Sequence, residues 1–458
     1  MHVLLDALDS PQKKLKCIHV AGTKGKGSTV AFLESILKES GYRVGCYTSP
    51  HLQSICERIR IDGVDIKEEE FESLVQGLQD SVDACQEKLS RSHESLSHFE
   101  VLTGMAFRHF HESQVDVAII EAGLGGARDA TNVIENLDLA VITPIGMEHA
   151  DALGGSLESI SRAKAGIMKE GVPSVIAKQL SQEAEAVLLH EASMKKSKTY
   201  RTEAIVQYHL EPHDGRSRQQ SALFKIPHEV STVCFDYDGP DGMEFEVDMP
   251  LLGEHQASNA ATAITSAIAL KTESKYDAIS LKSIQDGVQN TPILGGRFQI
   301  IQEMEVDGRP MLFVVDGAHT QDSAACLATT VRQVFPNSKI ALVVSMASDK
   351  DHESFFCEIQ KSKPFVVVFT DSLIAGGSTR SAGPGVLVGA WQVAKMKNTI
   401  PGWRCRELIQ ASIKSAIAKA RHELSGEDCT QEQPGVILVT GSLHAAGAAM
   451  VSLDHKSG

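Results

Sequence analysis

A chain of 458 residues exceeds what one hydrophobic core holds, so two or three domains are expected. Hydrophobic residues make up 42% and charged residues 22%, ordinary for a folded globular protein, and no apolar run reaches membrane-spanning length. The formal charge of −15 argues against nonspecific nucleic-acid binding, yet local basic loops can still take an anionic substrate.

In chain order, residues 2–9 read as a short helix broken by Pro11. The apolar run 17–21 then leads into Gly22-Thr23-Lys24-Gly25-Lys26-Gly27-Ser28-Thr29, and a helix-periodic run follows it. Strand, glycine-rich turn and helix start together make a phosphate site. Glycines let successive N–H groups turn inward, the helix N-terminus adds partial positive charge and Lys26 a full one, and the Ser28 hydroxyl reaches phosphate or its magnesium. The usual pattern ends Gly-Lys-Ser/Thr, whereas Gly27 here separates Lys26 from Ser28. The bland alternative is a tight strand–helix turn carrying a surface lysine.

Residues 43–48 form a second strand, ended by Thr48-Ser49-Pro50-His51, and 57–63 an alternating strand and turn. Residues 66–90 and 99–111 are helical, with a loop at 92–97 between them. The run 115–120 has buried parallel-strand character and ends in Glu121, before the glycine turn 122–129. Strand 139–143 leads to Glu148-His149, helix 157–168 follows, and 172–177 is one more strand. This alternation predicts a doubly wound, largely parallel α/β sheet, in which Ser28, Ser49, Glu121 and His149 all fall past the carboxyl ends of strands.

Segments 232–236 and 243–247 suggest a small appended antiparallel sheet, and an alanine-rich helix starts near Ser258. A linker at 291–297 divides a domain of 1–295 from a second, Rossmann-like α/β domain of 296–458. Its strands are 311–316, 340–345, 365–370 and 436–440, with a glycine-rich loop and short helix over 376–402. Nine cysteines without Cys-x-x-Cys spacing point to a reducing compartment. Met1 to Asp6 carries an acid and no basic, apolar leader pattern, so the cytoplasm or mitochondrial matrix is expected.

Gly22 to Ser28, Thr48-Ser49-Pro50-His51-Leu52, Glu121-Ala122-Gly123-Leu124-Gly125-Gly126, Ala163-Lys164-Ala165-Gly166-Ile167, Asp316-Gly317-Ala318-His319 and Thr440-Gly441-Ser442-Leu443 occur in one order along the chain. Together they resemble the folylpolyglutamate synthase and dihydrofolate synthase family, which belongs with the Mur ligases. The segments 97–103, 346–352 and 440–444 look closest to plant-type dihydrofolate synthases. Three positions depart from the family pattern. Lys24 and Thr320 stand where asparagine is common, and Glu148 where many relatives have aspartate.

The resemblance implies a monomeric ligase that joins L-glutamate to a pterin carboxylate, using ATP and two Mg2+ sites, without nucleic-acid or membrane partners. Lys26 and Ser28, with Gly25, Gly27 and Thr29, would hold the phosphates. Ser49, Glu121 and His149 would hold one magnesium, and Lys164, as a carbamate, the second. Asn259, Arg297, Asp316 and His319 would approach ATP from across a domain cleft, with catalytic roles falling to Lys26, Lys164 and His319. Pro50, His51, Phe99 and Thr103 would line the pterin site. From the residues alone, Glu121 can equally cap a turn, His149 can be structural, and Lys164 can be a solvated helix lysine.

Overall fold

Cys17–Ala21 (β1) is buried at all five positions, as a strand paired on both sides and covered on both faces must be. The computed structural model describes the chain except residues 91–92, 203–204, 214–216, 227, 237, 240, 305–309, 373–379, 399, 426–433 and 455–458. The other strands around β1 are Val44–Tyr47 (β2), Ile59–Ile61 (β3), Val64–Asp65 (β4), Val117–Glu121 (β5), Leu137–Ile142 (β6), Ser174–Ile176 (β7) and Thr199–Arg201 (β8). They form an eight-stranded sheet of order β4-β3-β2-β5-β1-β6-β7-β8. Only β3 and β4 run antiparallel to their neighbours. Register sets Val20 beside Glu121 and Tyr47 beside Ile120, so the ends of β1, β2 and β5 open on one edge.

The helix Lys26–Glu39 returns the chain from β1 to β2 and is buried from Ser28 to Leu37. Its neighbour, Leu281–Gln289, lies so close that a side chain at Gly287 would collide with the Ile36 backbone. A third helix, His98–Glu112, is held at its start by a capping box in which Ser97 and Glu100 satisfy each other's backbone N–H groups.

Ile205–His213 (β9), Ser217–Ile226 (β10) and Met243–Asp248 (β11) make the small antiparallel sheet. The strand expected at 232–236 is instead part of the helix His228–Phe235. Ser231 and Cys234 are both buried, the three-residue spacing of a helix face, whereas the short apolar run Val233-Cys234-Phe235 between polar residues mimics a strand. The alanine-rich helix also begins earlier than expected, at Glu254, and runs to Glu273.

Gln299–Met304 (β12), Pro310–Val315 (β13), Ile340–Val344 (β14), Val366–Phe369 (β15), Arg406–Ile409 (β16) and Gly435–Thr440 (β17) form a six-stranded sheet of order β12-β13-β17-β14-β15-β16. It is parallel except for β12. Its core centres on Trp391, whose ring meets Phe356, Phe369 and Trp403 edge-on. Trp391 lies on Pro384–Lys397, a helix of 14 residues where a short one was expected. The expected loop at 92–97 and the expected loop and helix over 376–402 fall partly outside the described residues.

By contact the chain divides into two compact units. The first is Met1–His209, Ser221–Pro250 and His255–Pro292, and the second Leu210–Gln220, Leu251–Glu254 and Ile293–Gly458. Among the described residues, no helix is long and apolar enough to cross a membrane.

Candidate active site

The turn after β1 is built around two glycines. Gly25, at φ +83, precedes the first residue of the helix, and a side chain there would collide with Asn259 Oδ1. A side chain at Gly22 would collide with the Thr143 hydroxyl at the end of β6. Gly27 is open, and its added Cβ would meet only Glu121 Oε2, at 3.9 Å. The loop therefore packs against the first sheet on one side and faces the Glu121 carboxylate on the other.

Glu121 is 3% exposed. One of its oxygens lies 3.7 Å from Lys26 Nζ, and the other accepts the Ser49 backbone N–H at 3.3 Å. Lys26 Nζ also donates to Gly22 O at 3.2 Å. A second lysine reaches the same carbonyl, since Lys164 Nζ donates to Gly22 O at 2.7 Å from the end of the helix Leu157–Ala165. Lys164 is 5% exposed, so it is not the solvated helix lysine that sequence statistics favour. Burial, reinforced by the nearby Lys26 cation, lowers its pKa from 10.5 to about 7.

His149 follows on the loop after β6, in the left-handed region at φ 55, at the start of the short helix Ala150–Leu153. That loop is tied to the phosphate turn. Thr23 N donates to Pro144 O, Thr23 Oγ1 exchanges hydrogen bonds with Gly146, and Lys24 pairs with Glu148. Lys24 and Glu148, two of the positions that depart from the family pattern, thus form one ion pair. Asn259 lies in the first unit, 6% exposed against Gly25 and donating to Gln256. It reaches the phosphate loop from within that unit, not from across a cleft, because the helix Glu254–Glu273 packs in the same core as the loop.

In the second unit, Asp316 accepts from Phe298 N and Ala318 N at 2.8 Å each, and Gly317 N donates to Gly296 O. Arg297 therefore sits beside the turn that holds His319, whose Nδ1–H donates to Gly317 O at 2.9 Å. Thr320 caps the next helix through a box with Ser323.

Phe99 packs over Gly123, and its ring lies 5.8 Å from that of Tyr47. The Thr103 hydroxyl donates to Phe99 O at 2.7 Å and lies 3.3 Å from the Tyr47 hydroxyl. Pro50, joined to Ser49 by a cis peptide bond, is exposed, and His51 accepts a hydrogen bond from Arg58. The four expected pterin contacts thus gather near the end of β2, together with Tyr47 and Arg58, which sequence reading missed.

Two buried networks beneath the rim were also missed. His19, fully buried on β1, donates through Nε2 to Thr131 Oγ1, which donates in turn to Asp129 Oδ1. Asp129 then accepts Leu124 N, which fixes the glycine turn after Glu121. Burial first, then the Lys169 cation, lowers the His19 pKa to about 3, so the ring stays neutral. The second network is the Glu34–Arg60 pair at 3.0 Å, which also holds Thr48 Oγ1 and Gly63 N. Glu34 is 4% exposed, so Arg60→Ala strands a buried charge, and a stability loss of about 3–5 kcal/mol is expected. Urea titration reads this, and an unchanged midpoint contradicts it.

The residues at the first rim fit a magnesium–phosphate group. Hard oxygen donors suit magnesium, and a buried carboxylate faces an open glycine turn beside a lysine and a helix start. The Thr29 hydroxyl is buried without a partner among the described residues. No three His, Cys, Asp or Glu side chains cluster to hold a metal among those residues, so an all-protein cage is not what the rim provides.

The Mur ligase middle domain family matches residues 20–267, and the Mur ligase glutamate ligase domain family residues 296–443. The Bacillus subtilis dihydrofolate synthase/folylpolyglutamate synthase is 35% identical over 371 residues, which is 79% of this chain and 77% of that protein. The chain belongs to the dihydrofolate synthase/folylpolyglutamate synthase family of Mur ligases. It is accordingly an ATP-dependent ligase that forms amide bonds. A Mycobacterium tuberculosis folylpolyglutamate synthase complexed with ADP and AMPPCP has the same fold, at TM-score 0.80 and 29% identity over 98% of this chain and 93% of that one. E. coli FolC in complex with DHPP and ADP aligns at TM-score 0.74 and 27% identity, over 100% and 93%. Folylpolyglutamate synthase of Lacticaseibacillus casei is 28% identical over 98% of this chain and 92% of that protein.

Proposed function

We propose that the chain is a dihydrofolate synthase that joins L-glutamate to 7,8-dihydropteroate at the expense of ATP. The observation that carries this reading is the meeting of Lys26, Lys164, Ser49 and Glu121 around Gly22, beside an aromatic and polar wall of Phe99, Tyr47, Thr103 and His51. The three plant-type segments and the E. coli relative with bound DHPP and ADP support it.

A pterin carboxylate oxygen attacks the γ-phosphorus and ADP leaves. The glutamate amine then attacks the acyl phosphate carbon, phosphate departs and the amine gives up a proton. Lys26 and the N–H groups at the start of Lys26–Glu39 take the triphosphate charge, and Ser49 and Glu121 orient the metal-facing side. Magnesium, when bound, offsets the charge growing on the transferred phosphoryl group. With its pKa lowered toward 7 by burial and by Lys26, the Lys164 amine can add to CO2 with loss of a proton. The resulting carbamate is an oxygen donor beside Lys26. Arg297, Asp316 and His319 keep the nucleotide roles that the family resemblance implies.

Folylpolyglutamate synthase is the second reading, alone or as a further activity, because the curated relatives carry either both names or that one. Side-by-side turnover of dihydropteroate and a tetrahydrofolate monoglutamate with Mg-ATP and glutamate separates the two. Product from dihydropteroate is expected, and its absence with folded protein overturns the first reading.

A further inference from the structure

Arg58 ends the helical turn Ile55–Arg58, and its backbone carbonyl accepts Thr48 N at 3.0 Å. Its Nε donates to His51 Nδ1 at 3.0 Å, and its guanidinium faces the Tyr47 hydroxyl. The adjacent acid does not pair with it. Both Glu57 oxygens are taken by the backbone N–H groups of Leu52, Gln53 and Ser54. Among the described residues no carboxylate lies within ion-pair distance of Arg58, whereas Arg60, two residues on, is paired with Glu34. A half-buried arginine withheld from acids, in a chain of net charge −15, is a cation kept for something else.

The place narrows what that is. Tyr47 stands beside Ile120 on β5, and Glu121 comes next on that strand. The Phe99 ring lies 5.8 Å from that of Tyr47, and it packs over Gly123 of the turn that follows Glu121. An anion joined to a flat ring fits a cation and an aromatic at this spacing. A guanidinium presents paired donors matched to a carboxylate.

We propose that Arg58 binds the benzoate carboxylate of the pterin substrate, with the ring of that benzoate against Phe99. The inference rests on the dihydropteroate reading above and names the group that aims the reacting carboxylate. Glutamate and ATP, the other anions of the reaction, carry no aromatic acid.

The test measures Kd for two probes in the presence of Mg2+ and AMPPCP. One is dihydropteroate, and the other is its analogue with hydrogen in place of the carboxyl group. Wild type, Arg58→Gln and Arg58→Lys are compared, with AMPPCP affinity as the check on folding. Wild type is expected to prefer the carboxylate probe by roughly 30-fold, the size of a charge-assisted contact. Arg58→Gln removes that preference and leaves the analogue's Kd unchanged, while Arg58→Lys keeps part of it. Equal weakening of both probes in Arg58→Gln shows that the arginine only braces the His51 loop, and it overturns the inference while the reading stands. Wild type that binds AMPPCP and neither probe overturns both.

Discussion

Glu121→Gln is expected to lower turnover by about 10³-fold while leaving the fold intact, a loss typical of removing one preorganised electrostatic group. The substitution is isosteric, and its amide oxygen still accepts the Ser49 N–H that the carboxylate accepts now. What disappears is the negative charge, 3.7 Å from Lys26 and open toward Gly27. Lys26 then loses its counter-ion, and if Glu121 holds magnesium as proposed, the requirement for Mg2+ should rise together with the fall in turnover. Steady-state kinetics over a Mg2+ series measures both. Unaltered turnover, or a loss that tracks the melting temperature, contradicts this role for the carboxylate.

Lys164→Ala and Lys164→Met are expected to lose activity by about 10²–10³-fold and yet to gain stability. The stability effect has a defined sign. The folded pKa of about 7 lies below the unfolded value of 10.5, so between those values the unfolded chain binds more protons. Wild-type stability therefore rises with pH across that window, and the cost of the buried cation is present in full below about pH 7. At about 1.4 kcal/mol per pH unit that cost is up to roughly 5 kcal/mol. In bicarbonate-free buffer, Lys164→Met should melt several degrees above wild type at pH 6, by a margin that shrinks toward pH 10. Gly22 O still has Lys26 as a donor in the variant, so no carbonyl is stranded. In Lys164→Ala, added acetate or formate should restore part of the turnover by standing in for the carbamate proposed at Lys164. Full activity without rescue removes Lys164 from the chemistry, and a melting curve below wild type at pH 6 contradicts the buried-cation account.

Both effects come from groups that the amino-acid pattern marks unevenly. β1, β5, β13, β14 and β17 read clearly as strands because parallel strands buried on both faces are continuous apolar runs. β8, β12 and β16 lie at sheet edges, carry exposed polar residues such as Arg201, Gln302 and Arg406, and have no such signature. The phosphate loop was legible because its glycines are required by contacts, at Gly25 with Asn259 and at Gly22 with Thr143. The burial of Lys164 was not, since nothing in a helix sequence tells a lysine facing Gly22 from one facing water. Arg58 was invisible for the same reason. Its missing counter-ion is a fact about Glu57 folding back onto Leu52, Gln53 and Ser54, and it is not written in the spacing of charges. The chain His19–Thr131–Asp129 joins β1 to a turn more than 100 residues later, a connection that only the fold makes.

One isotope measurement reaches the centre of this account, the transfer of phosphoryl from ATP to a pterin carboxylate held beside Lys26 and Glu121. Dihydropteroate labelled with 18O in both carboxyl oxygens is turned over with Mg-ATP and L-glutamate, and the released phosphate is analysed by mass spectrometry. One labelled oxygen per phosphate is predicted, because the oxygen that attacks the γ-phosphorus leaves with it. Unlabelled phosphate accompanying dihydrofolate formation contradicts the acyl phosphate route.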